Sequence, residues 1–198
     1  MPLRAFIKSK IGEILYIKKN KKIQRKRFYH SLKTANTFGI LLNSYDTEAF
    51  SAVRSFYRFL TDEGKKIKCA CFVLPIENYV ENNVFISPFL YFSEKDFDIR
   101  GKPKSSFLKD FINTPFDILI DVRKNTNYFI DYVLYYSQAA LKIGCLPQNS
   151  AFYDLFVDDY ASSSNPSLYL ENVKEILKIM NYDSIFVWSR DSCYNTIQ

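Results

Sequence analysis

TFGILLNSYDTEAFSAVRSFYRFLTDEGKKIKCACFVLP, residues 37–75, changes its hydrophobic period twice, and those changes decide the fold. Residues 37–44 form a short apolar run between turn-like residues, the pattern of a buried strand. The period then becomes helical. Asp46 or Thr47 stands where a helix cap belongs. Phe50, Val53, Phe56 or Tyr57, and Leu60 keep a spacing of three and four, and Gly64 supplies the stop. Residues 67–75 return to a continuous apolar run, a second strand. A strand, a helix and a strand in this order imply a parallel pair with a right-handed crossover.

Outward from this unit the alternation continues less regularly. A short strand is expected near 89–92 and a short helix over SSFLKDFIN, 105–113. PFDILIDVRK, 115–124, is the strongest strand pattern, with Asp117 and Asp121 flanking Ile118, Leu119 and Ile120. NYFIDYVLYYSQAALK, 127–142, reads as an apolar helix ending before Gly144; IGCLP, 143–147, and YDLFVDD, 153–159, read as short strands. A helix follows the Ser/Asn/Pro turn, with Leu168, Leu170 or Val173, Ile176, Leu177 and Met180 inward. DSIFVWS, 183–189, is a last strand or an extended tail. The expected fold is α/β, a three-layer sandwich with a mostly parallel, doubly wound sheet, preceded by a long basic N-terminal helix. Residues 1–35 are the arm, 36–182 the α/β domain and 183–198 the C-terminal piece.

The chain has 198 residues, 47% hydrophobic and 17% aromatic, enough for a packed core. Its charge is unevenly placed. Residues 1–33 hold eleven Lys or Arg against the single acid Glu13, a net of +10. The other 165 residues hold 16 basic and 20 acidic side chains, a net of −4. The excess peaks in YIKKNKKIQRKRFYH, 16–30. On a helical wheel Ile7, Ile11, Ile14 and Leu15 share an arc of roughly 100°, and Lys18, Lys19, Lys21, Lys22, Arg25 and Lys26 cover the same azimuth over roughly 160°. An amphipathic membrane helix keeps one apolar face throughout. This stretch changes from apolar to cationic along one line, so it suits an apolar contact early and a polyanion late.

Several chemistries lack their residues. No glycine follows the first strand, so a dinucleotide or Walker-type phosphate loop is not expected. There is no G-x-S-x-G, and the only histidine, His30, lies in the cationic arm. The four cysteines match no zinc spacing; Cys69 and Cys71 share one face of a strand and read as buried free thiols. No apolar run approaches the length of a membrane span. No cofactor and no metal is expected. The one natural ligand crevice lies at the strand carboxyl ends, where Asp121, Arg123, Lys124 and Asp158 are candidates. Acids in such places more often cap a following turn.

The string SEKDFDIRGKPKSSFLKDFINTPFDILIDVRKNTNYFIDYVLYYSQAALKIG, with Gly101–Pro103, Phe111–Asp121, Lys142–Gly144 and Tyr153–Asp158 as its motifs, resembles a bacterial domain-of-unknown-function family of small α/β proteins. The resemblance implies an α/β sandwich, often with a basic helical arm, and no established activity. FDILIDVRK is also similar to a stretch in the N-terminal half of heptosyltransferase-like glycosyltransferases, which implies a Rossmann-like half without its nucleotide-binding partner.

The expected function is therefore a non-enzymatic binding protein whose cationic helix contacts RNA, with the ribosome as the foremost site. The contact residues are Lys18, Lys19, Lys21, Lys22, Arg25, Lys26, Arg27, Tyr29 and His30, supplemented by Arg100, Lys102 and Lys104 of the IRGKPK loop. Two alternatives remain open. One is a peripheral membrane or protein-complex subunit docked through the same helix. The other is a small-ligand or sugar-nucleotide-type enzyme remnant using the Asp121 crevice. The expected location is the cytoplasm, or the cytoplasmic face of the inner membrane.

Overall fold

A computed structural model describes residues 25–73, 89–157 and 165–180. Six strands make one sheet: β1 Thr37–Asn43, β2 Lys66–Phe72, β3 Phe89–Phe92, β4 Ile118–Asp121, β5 Leu141–Gly144 and β6 Leu155–Phe156. Among the described residues four α-helices accompany them: α1 Thr47–Asp62, α2 Ser106–Asn113, α3 Tyr128–Tyr136 and α4 Pro166–Ile179. The strand order is β3-β2-β1-β4-β5-β6, and every pairing is parallel. The sheet is thus all-parallel rather than mostly so, and the α/β expectation stands.

The opening unit forms as its periods predict. Asp46 caps α1 by accepting from the Ala49 N–H at 2.9 Å, and Gly64 ends it with φ +72. Alternation along β1 divides its side chains between two cores. Phe38, Ile40 and Leu42 pack with α1 and α4, together with Ile118, Ile120 and Val122 of the β4 region. Leu41 and Leu119 point the other way, toward α2 and α3. That second core is dominated by rings: Phe72, Phe92, Phe97, Phe111, Phe116 and Phe129. Cys69 and Cys71 both lie in the first core, on one face as expected, where burial pushes the Cys69 thiol up to about 12.

Two expectations need correction. The helix read over 127–142 stops at Tyr136, because Ser137 turns to ψ 139 and cannot continue it. Lys142 consequently belongs to β5. Residues 25–31, inside the span read as a helix, carry no helical structure; their backbone and side chains bind the body instead. Lys18, Lys19, Lys21, Lys22, Asp158 and the 183–189 run lie outside the described residues.

From β1 the chain proceeds outward to β2 and β3, then returns to build β4, β5 and β6 on the other side. The switch therefore falls between β1 and β4. In doubly wound sheets that position, at the strand carboxyl ends, is where ligands sit.

Candidate functional site

At the carboxyl end of β4, Asp121 and Arg123 stand two residues apart on the same face. Arg123 Nε donates to Asp121 Oδ1 at 2.7 Å and its second nitrogen to Oδ2 at 2.5 Å. The third guanidinium nitrogen donates to Asp131 Oδ1 at 2.9 Å, an oxygen that also accepts from Asn149 Nδ2 at 2.6 Å. Tyr169 of α4 donates to the Asp121 carbonyl at 3.1 Å. Both side chains of the Asp121–Arg123 pair are 0% exposed. Burial opposes the charge on Arg123, yet the bidentate Asp121 outweighs it and holds the guanidinium above its ordinary range. Burial likewise pushes Asp131 up, with Arg123 opposing.

The result is a network buried at Asp121 and Arg123 and reaching the surface at Asp131, which is 20% exposed. Such a pair aligns strands and loops; it does not offer a free acid or base. Of the other crevice candidates, Lys124 is partly exposed and approaches Asp46 at 3.9 Å and Glu48 at 3.7 Å. Asn43, at the end of β1, is 3% exposed, and its Oδ1 has no hydrogen-bond partner among the described residues. Among those residues no cluster of His, Cys, Asp and Glu is arranged to hold a metal.

The arm's described part lies at the opposite end of the sheet. Arg25 donates to the carbonyls of Ala139 and Ala140, both at 2.9 Å, and to both oxygens of Asp154 at 2.6 and 2.5 Å. The Phe28 N–H donates to Ala140 and the Leu32 N–H to Leu177. His30 Nε2 stands 3.5 Å from Asp117 Oδ1, beside the Phe28 ring. Burial works against the Asp117 charge, but the N–H groups of Asn36 and Thr37 prevail and hold it below the usual carboxylate range. Arg25 and His30 are thus bound to the body. Lys26, Arg27 and Tyr29 are exposed, with Arg27 3.4 Å from Asp154.

Lys142 completes this end. Its Nζ donates to the Leu134 and Tyr135 carbonyls at 2.6 and 2.9 Å, closing the last turn of α3 from a neighbouring strand. Burial, with Arg25 beside it, pushes its ammonium down to about 7. The cationic loop 99–104, by contrast, lies at the carboxyl end: Arg100, Lys102 and Lys104 are exposed there, next to the start of α3. The described candidates therefore form two cationic groups at opposite ends of the sheet.

Sequence reading named Lys142 only as the start of a family-like motif and did not single out Asn43 or the tyrosines of α3. Lys142 had a signal, a lone charge within the apolar LKIGC. The all-parallel sheet with its β1/β4 switch makes the protein a doubly wound α/β protein. The chain belongs to a family of unknown function (DUF6913), whose model matches residues 8–180. That span includes most of the basic arm. No curated protein matches the chain.

Proposed function

We propose that the protein is a non-enzymatic RNA-binding protein that holds RNA through its cationic N-terminal stretch, with the ribosome as the setting. One observation carries this reading: the first 33 residues are net +10 on a chain whose remainder is net −4. Charge segregated in this way, with Tyr16, Phe28 and Tyr29 between the cations, fits phosphates and unstacked bases. The Arg25–Asp154 clamp supports it by fixing where the stretch joins the body.

The test is RNA affinity against salt. Replacing Lys18, Lys19, Lys21, Lys22 and Lys26 by Gln spares the Arg25 clamp. Each lost phosphate contact lowers the log–log salt slope by about 0.7–0.9. Affinity that ignores both salt and these replacements sinks the reading. Sedimentation with anionic vesicles in place of RNA binding would favour a membrane-surface role for the same stretch.

A small-ligand site at the strand carboxyl ends is the second reading, and the similarity to heptosyltransferase-like halves belongs with it. The unbonded Asn43 Oδ1 favours it. The closure of Asp121 on Arg123 counts against acid–base chemistry there.

A further inference from the structure

Tyr128, Tyr132 and Tyr136 of α3 recur at four-residue spacing, which on a helix places them in one row. Each packs one side against the aromatic core and keeps part of its surface open. Ring centroids are 6.4 Å apart from Tyr128 to Tyr132 and 4.3 Å apart from Tyr132 to Tyr136. The row spans about 12 Å along the axis.

A cationic group stands at each end of the helix. At the start, the Tyr128 hydroxyl donates to the Gly101 carbonyl at 3.1 Å and fixes the turn that presents Arg100, Lys102 and Lys104. Gly101 is required there: its φ is +72, and a Cβ would meet the Tyr128 hydroxyl at 2.6 Å. Asp98 is the acid of this turn; its Oδ1 accepts from the Arg100 and Lys102 N–H groups, and its charge also bears on Tyr128 and Tyr132. Beyond the other end, Ala139 and Ala140 hold Arg25 and Phe28, next to exposed Lys26 and Arg27.

Aromatic rings in a row with cations at both ends match what a single strand offers. Bases stack on rings whatever their identity, while phosphates pair with Lys and Arg. A duplex hides the base faces inside its own stack and presents only its backbone.

We propose that the outer face of α3 is a platform for about three nucleotides of single-stranded RNA. Tyr132 and Tyr136, which cover one face of each other, stack bases on their remaining open surface, and Arg100, Lys102 and Lys104 bind phosphates. This rests on the RNA reading for its class of partner and for the cations of the IRGKPK loop; what it adds is the tyrosine row of α3.

The test is anisotropy of a labelled oligouridine and of a hairpin duplex with the full chain. Tyr132→Leu with Tyr136→Leu keeps apolar volume and removes the rings; Tyr132→Phe with Tyr136→Phe keeps the rings. The Leu pair should bind oligouridine roughly tenfold more weakly or worse, and the duplex unchanged; the Phe pair should bind both like the parent. Parent-like oligouridine binding by a folded Leu pair overturns the platform. Should the Leu pair not fold, R100Q/K102Q/K104Q replaces it, and an oligouridine salt slope equal to the parent's overturns the platform. Ultraviolet crosslinks at Tyr132 or Tyr136 support it. Crosslinks confined to residues 1–33 overturn it while the RNA reading stands. No RNA binding at all, with sedimentation on anionic vesicles instead, overturns both.

Discussion

The Tyr153 hydroxyl donates to Asp121 Oδ2 at 2.8 Å, and its ring lies over Gly144 of the intervening strand β5. Burial, with the Asp121 charge beside it, pushes the phenol far above its usual range, so it remains a donor wherever the protein is folded. One carboxylate thereby ties the segment before β6 to the end of β4, while Arg123 ties it to α3 through Asp131.

Gly144 leaves room for that ring. A Cβ there would stand 2.1 Å from it. Gly144→Ala should displace Tyr153 and cost about 1–3 kcal/mol of overpacking, plus the hydrogen bond. Tyr153→Phe, which keeps the ring, should cost only about 1–2 kcal/mol. Urea midpoints order the two variants; equal costs would show that the ring accommodates the methyl.

Arg123→Met should cost about 3–5 kcal/mol, because it leaves the buried Asp121 charge with the Tyr153 hydroxyl and no cation, and Asp131 with Asn149. The double variant Asp121→Leu/Arg123→Met should be less destabilised than the single one, since no buried charge is left over at β4. A double-mutant cycle from denaturation curves checks this. Additive losses would mean that the two side chains act independently.

Lys142 predicts a pH dependence of stability. Its folded value is about 7, whereas in an unfolded chain a lysine titrates near 10.4. Between these values the unfolded chain holds a proton that the folded protein lacks. Stability therefore rises with pH across that window, by up to about 1.4 kcal/mol per pH unit, and is flat in this contribution below it. The urea midpoint should be higher at pH 9 than at pH 7, and Lys142→Met should flatten the difference. Arg25→Gln should raise the lower edge of the window and so narrow it, since the Arg25 charge helps depress Lys142 in the folded protein. A Met variant with the parent's slope would assign the effect to another group.

Asp46→Ala removes the cap of α1 and should cost about 1 kcal/mol without altering the sheet. A thermal melt with unchanged far-ultraviolet dichroism in the folded state is the expected record.

Residues 37–72 were legible because each change of period was marked by a cap or a glycine; residues 74 and 75 of the run read as the second strand lie outside the described residues. The end of α3 was not. YFIDYVLYYSQAALKIG is apolar nearly throughout, so no polar face shows where the helix stops, and Lys142 looks like a last-turn cation. It does close the last carbonyls of α3, but from β5. Residues 25–31 of the arm misled for a different reason. Its local pattern is helical, while Arg25 is bound to Asp154, 129 positions away, a contact no local pattern carries. At the switch point the charges were visible, and period 2 already places Asp121 and Arg123 on one face. Their closure by Asp131, Asn149 and Tyr153 depends on loops meeting in space.

The lengths of the outer strands bear on how this protein can meet others. Among the described residues β3 has four residues and β6 two, so these outer strands present little main chain for another strand to pair with. Extension of the sheet by a partner's backbone finds only a short template on these two strands. Recognition falls to side chains, and its specificity can change by substitution without disturbing the ladder that defines the fold.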